Sequence, residues 1–151
     1  TENSMKEMAS ACEITVARLN LEGTAGEKVP IYQLTNNDYA DLKPAVTVNN
    51  HVPYIAWYEN QNNDILEGTG TNIVHVAALE ENAFVPRPSY EVNAPVQSVA
   101  IGSMGNDIMA AWECSSGRKF GDYHLGDGYA GNGDGSGQSF AESKAIVCPD
   151  Q

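Results

Sequence analysis

The stretch Lys43–Glu59, KPAVTVNNHVPYIAWYE, leaves few folds open. Ala45–Val48 and Tyr54–Glu59 read as two strands. Apolar residues alternate in the first with the two-residue period of a strand. Between them lie Asn49, Asn50 and His51. Asn tolerates positive φ, so the pair suits a tight hairpin. The run YIAWY is apolar at nearly every position, as in a strand covered on both faces.

The stretch has a partial echo at Pro95–Cys114, where Gln97–Ile101 and Ile108–Glu113 form a second hairpin around residues 102–106. Other segments repeat at similar offsets. Ile14–Leu19 answers to Ile73–Leu79, Val29-Pro30 to Val85-Pro86, Tyr32 to Tyr90, and Val46 to Val99. Trp57 answers to Trp112, each after an Ala. The strands therefore run C-D, then A-B-C-D, then A-B, with room for a last C. Four short strands in about 50 residues is the period of a β-propeller blade. The expected fold is all-β, with about two four-stranded antiparallel propeller-like blades; the alternative is a β-sandwich. Pro30, Pro86 and Pro88 mark edge strands. Residues 1–12 form a leader or short helix, with Ser4 and Glu7 spaced as a capping box. Residues 13–114 carry the repeats, 115–138 a Gly/Asp-rich loop, and 139–151 a final strand.

PAVTVNNHVPYIAWYEN and QSVAIGSMGNDIMAAWE resemble the blade-opening strands of bacterial extracellular sialidase-like propellers. The Asp-box of that family is absent. The resemblance implies a glycan-facing, extracellular or cell-surface setting. Sialidase chemistry would need an arginine cluster, and only Arg18, Arg87 and Arg118 are present, none in a family motif. The expectation leans away from an enzyme.

Twenty acidic and eight basic residues give a net charge of −12. This repels phosphate backbones and anionic membrane surfaces, so nucleic-acid binding is not expected, and with no run near the ~18–20 apolar residues of a spanning helix neither is membrane insertion. Cys12, Cys114 and Cys148 match no zinc or redox spacing. Cys114 and Cys148 each end an expected strand and form the favoured disulfide, with Cys12 the competitor.

The stretch GDYHLGDGYAGNGDGSGQSF, residues 121–140, carries the candidate site. Asn132, Asp134 and Ser136, with Gly137, fit the first positions of a calcium loop, and Asp122 and Asp127 add hard oxygen ligands. The bidentate acid is missing from its slot. Tyr123 and Tyr129, with Asp127 and Asn132, form a candidate glycan-binding set: rings stack on sugar C–H faces while amides and carboxylates bond hydroxyls. His75 reads as a strand residue, either satisfied or solvent-facing. Trp57 and Trp112 read as inter-sheet core.

The functional expectation is a non-catalytic extracellular binding or structural module, glycan-binding, with calcium as the candidate ion. The alternative is a piece of a glycan-processing propeller. The incomplete blades predict a homo-oligomer or a partner β-chain, because unpaired strand edges seek strands.

Overall fold

A computed structural model describes residues 1–114 and the backbone of residues 145–149. The chain opens on α1 (Glu2–Ala9). Its capping box is Thr1 with Ser4, three residues ahead of the expected Ser4–Glu7 pair. Thr1 wins because its hydroxyl accepts from the Ser4 N–H while Ser4 Oγ bonds back to Thr1. Ala9 is the buried residue of the helix; Met5 and Met8 stay exposed and do not share a core face.

All the other described elements are strands: β1 (Thr15–Ala17), β2 (Ile31–Gln33), β3 (Ala40–Asn49), β4 (Val52–Asn60), β5 (Asn72–Glu80), β6 (Ala83–Pro86), β7 (Tyr90–Val92), β8 (Val96–Met104), β9 (Asp107–Cys114) and β10 (Ala145–Pro149). Every pairing is antiparallel, which bears out the all-β expectation. The strands form three sheets: β1-β2, β3-β4-β5-β6 with β7 also on β5, and β10-β9-β8.

Turn chemistry sets the registers. Asn50 and His51 have φ of 48° and 66°, and Glu81 and Asn82 have 46° and 69°. Two successive positive-φ residues twist a hairpin in the sense its strands require. The third hairpin turns on Gly105 and Asn106, narrower than the expected 102–106 span, with Gly105 at φ 59°. β3 starts earlier than the polar sequence around it suggested, at Ala40. A bulge between Leu42 and Ala45, with Lys43 at φ 55°, carries the strand past Pro44.

The middle of the central sheet, β4 and β5, is largely buried on both faces, as its apolar run foretold. On one face Tyr54, Ala56, Val76 and Ala78 meet Ile108 and Ala110 of the third sheet. Further along, Tyr58, Val74 and Val92 meet Val96, Trp112 and Cys114. The alanines let the sheets approach closely, and Asn49 Nδ2 ties them by donating to the Gly105 and Asp107 carbonyls at 3.1 and 2.9 Å. On the other face Ile55, Trp57 and Ala77 pack under Ile14, Val16 and Leu34 of the β1-β2 layer. No described helix is long and apolar enough to cross a membrane.

Candidate functional site

A cleft of about 640 Å³ opens where the β1-β2 layer meets the central sheet. Its floor follows from strand register. Trp57 lies opposite His75, and Asp41 opposite Glu59, so all four side chains leave the sheet on one face. Tyr32, Gln33 and the Thr35–Asn37 segment form one wall, and Phe84, Pro86, Arg87 and Ser89 the other. Tyr32 and Phe84 meet edge to face across it, with ring centroids 5.6 Å apart.

The floor is a connected polar network. Trp57 Nε1 donates to Asp41 Oδ1 at 2.8 Å, and Asn37 Nδ2 donates to Asp41 Oδ2 at 3.0 Å. The Trp57 indole stacks on the His75 imidazole at 5.1 Å and 26°. His75 Nε2 lies 3.4 Å from Glu59 Oε2 but is not aligned as a hydrogen bond. Gln61 Nε2 donates to Glu59 Oε1 at 3.0 Å. At the rim Arg87 pairs with Glu80. Ile14 N–H donates to Thr35 Oγ at 2.8 Å, which fixes the β1-β2 wall over the floor.

Two carboxyls on adjacent strands face each other, an arrangement that costs stability when both are ionised. Burial raises the Asp41 pKa above the usual carboxylate value, and Glu59 raises it further; the Trp57 and Asn37 hydrogen bonds pull it partly back. A raised folded pKa means that Asp41 favours folding below the unfolded value near 3.8 and loses that contribution as pH rises through the folded value. Asp41→Asn removes this titration and keeps an acceptor for Trp57. Its stability is expected to fall less than wild type as pH rises from just below 4 through the acid range. Chemical denaturation at several pH values measures this, and parallel curves for the two proteins would refute it.

Asp64, in the loop after β4, titrates in the opposite sense. Bonds from the Thr69 hydroxyl and from backbone N–H groups hold its carboxyl below the usual value. Its contribution is present at neutral pH and lost as pH falls through the lowered pKa.

Trp57 is inter-sheet core as expected, packed between the central sheet and the β1-β2 layer, and together with the strand residue His75 it also lines the floor of this cleft. Asp41 and Glu59 were not singled out in the sequence. Only register brings them together, from positions 18 apart in the chain. Trp112 does lie between sheets, buried beside Tyr90 at 5.1 Å. The expected ligand and calcium residues Asp122, Tyr123, Asp127, Tyr129, Asn132, Asp134 and Ser136 lie outside the described residues. Among the described residues no group of three or more His, Cys, Asp and Glu could hold a metal ion. Cys114 is buried at the end of β9, and Cys148 falls opposite Ile108 in the β9-β10 register. The Cys148 side chain lies outside the described residues. Cys12 is a free thiol whose Sγ lies 3.7 Å from the Met8 carbonyl.

No family model, no curated protein and no solved structure matches this chain.

Proposed function

We propose that this chain is a non-catalytic binding module of extracellular or cell-surface type, built from consecutive propeller-like blades, that takes a hydroxyl-rich ligand, a glycan, in the cleft over Trp57 and His75. One observation carries the reading: a cleft of about 640 Å³ gathers aromatic rings, amides, a carboxylate and an imidazole on a rigid sheet. Such a mixture suits sugars, whose apolar ring faces and polar rims need both kinds of contact. The site stands on strands held from both faces, which keeps it preorganised. The stack of sheets, each a run of neighbouring antiparallel strands, supports the blade reading. Tyr123, Tyr129, Asp127 and Asn132 are proposed as a second ligand-binding set, with calcium as the candidate ion.

A glycan array followed by calorimetric titration tests this. Gln33 and Asn36 line the wall and are exposed, so Gln33→Ala and Asn36→Ala are expected to leave folding intact. Together they should weaken glycan binding roughly tenfold, the loss of one or two hydrogen bonds. Absence of binding to any glycan would sink the reading. Loss of binding in Tyr123→Ala with none in the Gln33/Asn36 pair would move the site to the 115–138 loop. A rise in melting temperature on adding calcium, reversed by chelator, is the expected sign of the ion.

A second reading is favoured by the Asp41–Glu59 pair. Glycoside hydrolysis works through a pair of carboxyls, one of them with a raised pKa, and burial raises that of Asp41. Release of nitrophenol from chromogenic glycosides, abolished by Glu59→Gln, would establish the enzyme over the binding module.

A further inference from the structure

The β1-β2 layer covers only part of the central sheet. Tyr32 of β2 sits over Phe84 of β6, and Ile14 and Val16 sit over Ile55 and Ala77 of β4 and β5. The next strand position in that layer, beside β1, would lie over β3. There Val46 and Val48 point to the same face as Ile55 and are 63% and 56% exposed, although the neighbouring strands β4 and β5 are largely buried on both sides.

The free edge of β1 faces that same position. Leu34 N–H bonds the Ile14 carbonyl at 2.8 Å and Arg18 N–H bonds the Pro30 carbonyl at 3.0 Å. In an antiparallel ladder this places residues 14, 16 and 18 on the β2 side and turns the N–H and C=O of Thr15 and Ala17 outward. Both residues are exposed, and β1 pairs with β2 alone among the described strands. One added strand would meet both needs, bonding Thr15 and Ala17 and covering Val46 and Val48.

We infer that β1 accepts an extended strand from a partner chain, antiparallel to it, with apolar side chains at alternate positions facing β3. A second folded copy fits less well. Two half-exposed valines fall far short of the roughly 1,000 Å² that a stable interface buries. The β9 edge that another copy might offer is already taken by β10. An extended strand needs no such area, because main-chain hydrogen bonds supply its affinity and alternate side chains its specificity. The charge of −12 adds a preference for a strand with basic flanks.

The probe is a synthetic peptide with the sequence of Val52–Asn60 between lysine tags. β4 borders β5, and Ile14–Leu19 repeats the β5 sequence, so a β4-like strand is the natural neighbour of β1. Fluorescence anisotropy of the labelled peptide against the whole chain should show saturable binding. Ala17→Pro removes an outward N–H and leaves the bonds to β2; Val48→Lys leaves the backbone alone. Each should weaken binding roughly tenfold, while circular dichroism stays that of wild type. A scrambled peptide that binds equally well overturns the proposal, as does wild-type affinity in well-folded Val48→Lys. Sedimentation without peptide supplies the remaining arm: a dimer broken by Val48→Lys would assign the surface to a second copy and refute the partner strand.

Discussion

Asn60→Ala is expected to cost about 3 kcal/mol, roughly 6–12 °C in melting temperature, although Asn60 touches no apolar core. Asn60 is fully buried at the end of β4. Its Nδ2 donates to the Thr69 carbonyl at 3.0 Å and to Asn72 Oδ1 at 2.9 Å. Its Oδ1 accepts from the N–H groups of Asn62 and Asp64 at 3.2 and 2.8 Å. Asn72, buried beside it, donates to the Gly68 and Ala94 carbonyls at 3.0 Å each. The two amides thus close the 61–71 loop and tie it to the start of β8. Alanine at 60 strands two donors and two acceptors around a fully buried position, and a stranded buried group costs far more than a made bond returns. Aspartate at 60 does no better, because it loses both donors and sets a charge against the Asn72 oxygen. Asn62 is exposed, so Asn62→Ala serves as the control and should stay within about 0.5 kcal/mol. Urea denaturation of the three variants checks this, and a loss below about 1 kcal/mol for Asn60→Ala would show that the amide pair is dispensable.

The two repeat-related tryptophans should respond differently to the same change. Trp57→Phe is expected to cost about 2 kcal/mol, the value of a hydrogen bond to a charged group. The ring volume and the stack on His75 are largely kept; what goes is the donor to Asp41 Oδ1. That oxygen belongs to a residue 2% exposed, already beside Glu59, and its carboxyl would be pushed further up in pKa. Trp112 is buried too, 3% exposed against 7% for Trp57, but among the described residues its Nε1 has no hydrogen-bond partner. Phenylalanine there removes an orphaned donor and keeps the contact with Tyr90, so Trp112→Phe should stay within about 1 kcal/mol of wild type. The comparison also separates the cleft from the core. Trp57→Phe should shift the acid limb of the stability–pH curve through Asp41, and Trp112→Phe should leave its shape alone. Equal losses at the two sites would mean that the Asp41 bond adds nothing to stability.

The hairpins and their turns were legible because they rest on local rules. Alternation sets which residues share a face, and Asn50-His51 states where the chain reverses. The helix cap was misplaced by one turn because Ser4 satisfies two motifs at once, and only the backbone path decides between Thr1 and Glu7 as its partner. The β3 start was missed because Asp41 and Lys43 look like loop residues; a bulge and a buried hydrogen-bond network make them strand. The cleft was invisible for a related reason. Asp41, Glu59 and His75 have no motif spacing, and each alone is an ordinary polar residue of a strand or its flank.

By itself the sequence determined that this chain is a set of antiparallel sheets with a doubly buried centre, since two-residue periodicity and turn residues act within a few positions of one another. The tertiary structure decided which acid meets which, that Trp57 is bonded and Trp112 is not, and that Val46 and Val48 lie uncovered. Those outcomes depend on cross-strand register and on how far one sheet extends over the next. Register and overlap are set by the sum of many contacts between distant segments, and no single stretch of the chain carries them.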